Sequence, residues 1–180
     1  MNDSAPVALL MVRHIRALAA GTCAVLLLCA CGEPARVTQP KEIAAGTACA
    51  LDGMLLEDFP GPKAQIQYER DAPEFFCDLK EMFMIYLQEE QKRRIVALYT
   101  QDMGQADWMQ PKGHWIDAKT AFYVVGSKKQ GSMGPAIASF ASEQAAQRFA
   151  GKEGGQVLRF DQVTPEMVDL SGGVVHDRRM

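Results

Sequence analysis

Sulfur-bearing side chains of this chain occupy turns as well as regular secondary structure. Cys49 and Met54 flank an Asp-Gly pair in "CALDGM", a sequence typical of a tight turn. Met103 in "QDMGQ" and Met133 in "QGSMGP" each stand beside a glycine. Core methionines usually lie on helices or strands, where they fill gaps between other side chains. The loop positions therefore predict sulfur atoms gathered for another purpose.

Thiolate and thioether sulfurs are soft donors, which favour Cu(I) over calcium, magnesium or manganese. A zinc site would more often use several cysteines and histidines, and the C-x-x-C pair is missing from the sequence. The pattern predicts a Cu(I) site built from Cys49, Met54, Met133 and Met103. His114, near Trp108 and Trp115, is a further candidate ligand, and a structural role for it is equally compatible with the sequence.

Cysteine usage leaves a second interpretation open. Of the five cysteines, Cys23 and Cys29 lie in an N-terminal leader and Cys31 stands at its end. Cys49 and Cys77 remain, and a disulfide between them would suit an oxidising compartment. Cys49 lies in a turn-rich loop, whereas Cys77 precedes a helix start, so the sequence places them in different settings. A structural or interaction lipoprotein without metal is thus the alternative.

Catalysis finds little support in the sequence. After the leader the chain contains two histidines, and it lacks a nucleophile elbow, an H-E-x-x-H motif, a P-loop and a dinucleotide-binding glycine fingerprint. Either remaining cysteine could pair with His114 as nucleophile and base, but spacing alone cannot establish such a pair. We therefore expect a binding protein rather than an enzyme.

Composition excludes one class of partner. The chain has 180 residues, of which 48% are hydrophobic, and a formal net charge of -3. This length and hydrophobic fraction allow one ordinary core. Nucleic-acid binding relies on clustered lysines and arginines that neutralise phosphates. We therefore expect no nucleic-acid partner.

The N-terminus has the features of an export signal. Arg13, His14 and Arg16 precede an apolar run that is too short to span a bilayer comfortably. The "LCAC" sequence that follows predicts a bacterial lipoprotein signal over residues 1–30, with Cys31 lipidated as the mature N-terminus. A cleaved secretory signal without lipid is the alternative, and Met11 is as plausible a start as Met1. The pattern predicts a periplasmic protein held at a membrane, without revealing which membrane.

Polar, aperiodic residues at 31–47 then predict a flexible tether. Beyond it, two similar units follow each other, at 48–108 and 109–162. In the first, residues 63–70 and 73–77 form a hairpin, a helix begins at Asp78, and residues 94–100 return to strand composition. The helix start has capping-box spacing, with Asp in place of Ser or Thr.

The second unit repeats this order, with strands predicted at 121–126, 135–140 and 156–160 and a helix from Ser142 to Ala150. Each unit has only about forty residues, which is too few for independent stability, so we expect the two to pack together. The fold class is therefore α+β, with two tandem ββαβ units. Residues 163–180 lack periodicity and predict a mobile tail.

Several separated motifs of this chain closely resemble the NosL family of lipid-anchored copper chaperones that accompany nitrous-oxide reductase. They are "CALDGMLLEDFPGPKAQI", "QDMG", "HWIDAKTAFYVVGS" and "GSMG", in this order between Cys49 and Phe160. The resemblance implies a duplicated ββαβ fold related to that of an organomercurial lyase. It also implies delivery of Cu(I) for the catalytic copper-sulfide centre of nitrous-oxide reductase, working with its assembly machinery, which includes a membrane transporter complex.

The resemblance ranks the candidate ligands as well. It makes Cys49 and Met54 the first candidates, with Met133 and Met103 next. Many relatives carry a histidine in "EHPGP", where this chain has "EDFPGP" with Asp58 and Phe59. This departure removes a nitrogen ligand from the loop and increases the interest of His114.

Overall fold

The alternating sequence after Pro62 forms a strand that is buried on both faces. The computed structural model describes residues 38–88 and 90–170. Strand β1 (Ala64–Tyr68) pairs antiparallel with β2 (Glu74–Phe76) on one side and with β3 (Ile95–Gln101) on the other. Strand β4 (Trp115–Asp117) pairs with β3, which gives a four-stranded sheet in the order β2-β1-β3-β4. The predicted hairpin and third strand of the first unit are confirmed.

Helix α1 (Leu79–Tyr86) follows β2 and begins with the predicted capping box. The Asp78 side chain accepts a hydrogen bond from the Lys80 backbone N–H at 2.9 Å, and the Glu81 side chain accepts one from the Asp78 N–H at 3.1 Å. Both bonds satisfy N–H groups that have no partner within the helix. The Glu81 side chain lies at the start of the helix and is fully buried.

The second unit repeats the order with one insertion. Strand β5 (Phe122–Val125) lies between β8 (Ala138–Phe140) and β9 (Gln156–Arg159), and helix α2 (Glu143–Glu153) connects the last two. Ser142 caps α2 as predicted, accepting a hydrogen bond from the Ala145 N–H at 3.3 Å. A short hairpin of β6 (Gln130–Gly131) and β7 (Gly134–Pro135) precedes β8, so the strand predicted at 135–140 is shorter than expected.

The two units share one core, as their small size predicts. Phe83 of α1 packs edge-on against Tyr123 of β5, with ring centroids 5.1 Å apart, and against Phe160, 5.2 Å away. Between the sheets, the hydroxyls of Thr100 and Ser139 lie 2.8 Å apart and both are buried. A smaller apolar cluster around Val124 and Phe140 lies beneath α2. The α+β fold class is confirmed.

The predicted tether requires a correction from residue 38 onward. The Gln65 side chain exchanges two hydrogen bonds of 2.9 Å with the Lys41 backbone, and Gln67 donates to the Gln39 carbonyl at 2.7 Å. Tyr99 donates to the Thr38 carbonyl at 2.5 Å. Residues 38–41 are thus held against the first sheet, because buried glutamines on β1 satisfy their backbone groups. The leader, Cys31 and the earlier part of the tether lie outside the described residues.

The mobile-tail prediction is also wrong for its first residues. Val163 and Val168 are buried in the main core, and a short helix α3 (Pro165–Val168) packs against α1. The two buried valines stand five positions apart, a spacing that matches neither the helical nor the strand period. Residues 171–180 lie outside the described part. No helix within residues 38–88 and 90–170 has the length and apolar character needed to cross a membrane.

Candidate metal site

The loop that carries Cys49 and Met54 is a narrow backbone hairpin. Cys49 N–H donates to the Met54 carbonyl at 2.8 Å, and Gly53 N–H donates to the Cys49 carbonyl at 3.0 Å. Gly53 has φ +77°, a conformation that glycine adopts without strain, so the predicted turn is confirmed. Met54 is half-buried and packs against the main core, to which Cys49 belongs.

Cys77 joins Cys49 from the junction of β2 and α1. The Ala50 N–H donates to the Phe75 carbonyl at 2.8 Å, which ties the cysteine loop to β2. One ligand atom each of Cys49, Asp52, Cys77 and Glu81 lies within 4.8 Å of all the others. Both cysteines are buried free thiols. The sequence placed them in different settings, whereas the fold places them side by side.

Glu81 connects the two thiols. Its Oε2 lies 3.2 Å from both Cys49 Sγ and Cys77 Sγ, and it accepts from the backbone N–H groups of Cys77 and Asp78, each at 3.1 Å. Its other oxygen, Oε1, is buried and has no hydrogen-bond partner in the described part of the chain. A buried carboxylate oxygen without a partner is uncommon and requires an explanation.

The surroundings make Cys49 the thiol that ionises first. The pKa of Cys49 is lowered, mainly by a hydrogen bond from the Cys77 thiol, with help from backbone N–H groups of the loop, while burial opposes this. The pKa of Cys77 is raised by the same hydrogen bond and by burial. Burial also raises the pKa of Glu81 to about 8. A preformed thiolate at Cys49 is the form that a soft metal ion binds.

A buried lysine lies behind the site. Lys63 is 2% exposed, and its ammonium donates to the carbonyls of Phe59, Pro60 and Cys77 at 2.8, 3.2 and 3.1 Å. Burial lowers its pKa, and the negative groups of the site, Cys77 first, oppose that shift. Its charge therefore balances part of the negative charge that the thiols and carboxylates can carry.

Met133 approaches the site from the second unit, at the turn of the β6–β7 hairpin. The neighbouring Ser132 hydroxyl lies 3.0 Å from Cys77 Sγ, and Met133 N–H donates to the buried Asp78 carboxylate. Gly131 allows this approach, because a Cβ at that position would lie 2.6 Å from Asp78 Oδ2. The hairpin inserted into the second unit thus closes one side of the site.

Met103 and His114 lie elsewhere in the fold. Met103 packs with the smaller apolar cluster, and its N–H donates to the Ser139 carbonyl at 2.8 Å. His114 is exposed, has φ +52°, and accepts from the Asp102 N–H through its carbonyl. Neither belongs to the group formed around Cys49, so their role as ligands stays a prediction.

Three further contributors were not predicted as site residues: Cys77, Asp52 and Glu81. Cys77 was considered as a disulfide partner, Asp52 as a turn residue and Glu81 as a cap. The turn accounts for Asp52 and the capping box accounts for Glu81, so neither residue was considered as a metal ligand. The only available signal was a pair of acidic residues, each three or four positions after a cysteine.

The fold and the site together define a small α+β protein with two buried thiols placed to hold a soft metal ion. Comparisons with known proteins agree with this class. The sequence model of the NosL family matches residues 40–168, so this chain belongs to the NosL family. The copper-binding lipoprotein NosL of Stutzerimonas stutzeri is 40% identical over 167 residues, which are 88% of this chain and 87% of that protein.

Two further relatives extend this comparison. The copper-binding lipoprotein NosL of Achromobacter cycloclastes is 41% identical over 151 residues, covering 81% of this chain and 78% of that protein. The crystal structure of the copper chaperone NosL from Shewanella denitrificans matches with a TM-score of 0.67 and 33% identity, over 71% of this chain and 97% of that chain. The names of these relatives describe copper binding and not catalysis.

Proposed function

We propose that this chain is a membrane-anchored Cu(I) chaperone of the periplasm and not an enzyme. The observation that carries the proposal is the approach of two buried cysteine sulfurs, Cys49 and Cys77, beneath a glycine-containing loop. Two thiolates are donors that Cu(I) prefers, and low coordination numbers leave room for an incoming ligand. The relatives named as copper-binding lipoproteins support both the metal and the anchor, for which Cys31 is the lipidation site.

The geometry suits transfer as well as binding. Cys49 supplies the first thiolate, and Cys77 supplies the second once its proton has left. The loop residue Met54 and the hairpin residue Met133 contribute thioethers at the edges of the site, where a partner's sulfur could replace them one at a time. Copper would then pass between proteins without release into water. Met103 and His114 rank below these residues because Met103 packs with the smaller apolar cluster and His114 is exposed.

The recipient we propose is nitrous-oxide reductase, reached together with its membrane-bound assembly machinery. Cu(I) delivered in this way would serve the catalytic copper-sulfide centre of that enzyme. A pull-down of the anchored chain with components of that machinery, and the copper content of the reductase in cells that lack the chain, would test this part separately from copper binding.

Anaerobic Cu(I) titration of the full chain in detergent, against a competing chelator, tests the ligands. We expect Cys49→Ser to lower the Cu(I) affinity by about tenfold or more, because a hydroxyl replaces a thiolate. Met54→Leu and Met133→Leu should have smaller effects, and Met109→Leu is the matched control since Met109 is 64% exposed and outside the group. An unchanged affinity of Cys49→Ser would contradict the assignment.

The proximity of the two thiols also leaves open the alternative of a disulfide between Cys49 and Cys77 without metal. Two sulfur atoms within 4.8 Å of each other could join in a disulfide, which would make the chain a structural or interaction lipoprotein. Mass spectrometry of the chain isolated from the periplasm decides between the two. A mass lower by two hydrogens with no copper uptake supports the disulfide, and two free thiols with a copper adduct support the chaperone.

A further inference from the structure

Residues 38–45 form a strap along one face of the first sheet. The backbone of Lys41 exchanges two hydrogen bonds of 2.9 Å with the Gln65 side chain, and the Gln39 carbonyl accepts from Gln67 at 2.7 Å. Because these contacts pair rising positions in the strap with falling positions in β1, the strap runs antiparallel to that strand. It therefore enters the sheet at the carboxyl end of β1 and leaves it at the amino end.

The cysteine loop, residues 49–54, lies at the amino end of β1. The first residue of that strand pairs with Phe76, which directly precedes Cys77. The strap leaves the sheet at the same end, where residues 42–45 line a groove together with Lys63. Strand β1 has five residues, so its length separates the entry of the strap from the cysteine loop by a distance on the order of 15 Å.

The carboxyl end of β1 is formed by two turns, residues 69–72 and 90–94. The Glu69 N–H donates to the Arg94 carbonyl at 3.0 Å, which joins the two turns. Two of the basic side chains at this end pair with nearby glutamates. Acidic neighbours balance the basic charge, and guanidinium and ammonium groups bind phosphate, so this end suits zwitterionic as well as anionic lipid headgroups. Four basic side chains are exposed there: Arg70, Lys92, Arg93 and Arg94.

The length of the tether limits how far this end can stand from a membrane. Cys31 precedes Thr38 by seven positions. A fully extended chain of that length covers at most roughly 25 Å. Thr38 is fixed to the sheet, because Tyr99 donates to its carbonyl. A lipid on Cys31 would therefore keep the carboxyl end of β1 close to the bilayer, while the cysteine loop lies farther away by the length of the strand.

We propose that the turns of residues 69–72 and 90–94 face the phosphate headgroups of the membrane, and that the cysteine loop faces the periplasm. This orientation rests on the lipidation of Cys31 in the proposed function, and it does not depend on copper binding. A partner of this chain then meets the cysteine loop above the bilayer, through a folded periplasmic domain and not through a membrane-spanning segment.

Quenching by a lipid that carries a nitroxide on its headgroup tests this orientation. The full lipidated chain is placed in nanodiscs that contain this lipid, with a tryptophan added at one of two exposed glutamates. Glu90→Trp places it in the turn before β3, and Glu57→Trp, the matched control, places it directly after the cysteine loop. Exposed substitutions of this kind change stability little, so both variants should fold.

The unaltered chain provides the baseline emission of Trp108 and Trp115. We expect the headgroup quencher to remove most of the added emission of Glu90→Trp and to leave that of Glu57→Trp nearly unchanged. Equal quenching of the two variants, stronger quenching of Glu57→Trp, or no quenching of either would overturn the proposal.

Intact mass measured on the same samples shows whether Cys31 carries lipid. A chain without lipid would overturn both this orientation and the anchor in the proposed function. A lipidated chain with equal quenching of the two variants would overturn the orientation alone, and Cu(I) titration of the nanodiscs tests copper binding separately from both.

Discussion

Cys49 and Cys77 have the same side chain and nearly the same burial, but their partners differ. Cys49 Sγ accepts from the Leu51 N–H at 3.4 Å, whereas Cys77 Sγ lies 3.0 Å from the Ser132 hydroxyl. The Glu81 carboxylate lies 3.2 Å from both sulfurs, so it does not distinguish them. The Cys77 thiol and the backbone N–H groups of the loop lower the pKa of Cys49, whereas donation to Cys49 and burial raise the pKa of Cys77. Cys49 therefore loses its proton before Cys77, and a metal ion bound by both sulfurs would have to displace the proton of Cys77.

This difference predicts the order in which the thiols ionise. The Cys77 hydrogen bond is the main reason why the pKa of Cys49 is low, so Cys77→Ala should raise it. Thiolate absorption followed during a pH titration of the metal-free chain should show the Cys49 transition at higher pH in the variant. Cys77→Ser, which keeps a hydroxyl donor, is the control with a smaller shift. Identical titration curves for Cys77→Ala and the unaltered chain would rule out the proposed hydrogen bond.

Acid should weaken Cu(I) binding for the same reason. If Cu(I) binds to the two cysteines as proposed, it displaces their protons, so its affinity falls as pH drops through the pKa values of the two cysteines. The lowered pKa of Cys49 keeps the first sulfur available to lower pH than an unperturbed thiol, while the raised pKa of Cys77 makes the second one pH-sensitive.

A surface ion pair connects secondary structure elements of the first sheet. Arg93, from the loop before β3, donates to Glu74 of β2 at 2.6 and 3.0 Å, and its guanidinium covers the Tyr68 ring with 3.8 Å to the centroid. Arg93 lowers the pKa of Glu74, followed by the Tyr68 hydroxyl, while partial burial opposes them. The contact joins β1, β2 and the start of β3.

The pH dependence of this contact follows from the direction in which the pKa of Glu74 is shifted. A carboxyl whose pKa is lower in the folded chain stabilises it above the unfolded pKa of about 4.3 and loses that contribution as pH falls through the folded value. Glu74→Gln should reduce the free energy of unfolding by up to about 1 kcal/mol at neutral pH, and by less below about pH 4. Urea unfolding at several pH values measures this. Glu69→Gln, in a looser pair of 3.4 Å, is the control, and a Glu74→Gln difference that is constant with pH would contradict the argument.

Local periodicity predicted most elements because their signals are contained within a few residues. The alternation of "KAQIQYER", the capping box at Asp78 and the Ser142 cap each required only their own neighbours. The approach of Cys77 to Cys49 depends instead on the link from Ala50 to β2 and on a hairpin more than fifty residues later. A single sequence contains no local sign of such contacts. For the same reason the loop was predicted as a metal site, and its second thiol and carboxylates were missed.

The molecule as a whole is held together by aromatic rings from both units. Phe160, which follows β9, packs against Phe83 and Tyr86 of α1, with ring centroids 5.2 and 4.9 Å apart, and lies 6.3 Å from Tyr123 of β5. Helix α1 in turn begins with the residues that hold Glu81 and Cys77. The candidate metal site of the first unit therefore depends on packing supplied by the second.

Unfolding should consequently be cooperative across both units. Phe160→Ala leaves a cavity at the junction and should cost about 3–5 kcal/mol, exposing Cys49 and Cys77 to a thiol reagent at lower urea concentration. Phe149→Ala, in the smaller cluster with Phe140 5.1 Å away, is the control. If the units fold as one, thiol exposure and loss of the helical circular dichroism signal coincide in both variants. If the cysteines became reactive while the helical signal persisted, the first unit would unfold alone, and the shared core would not be what maintains the site.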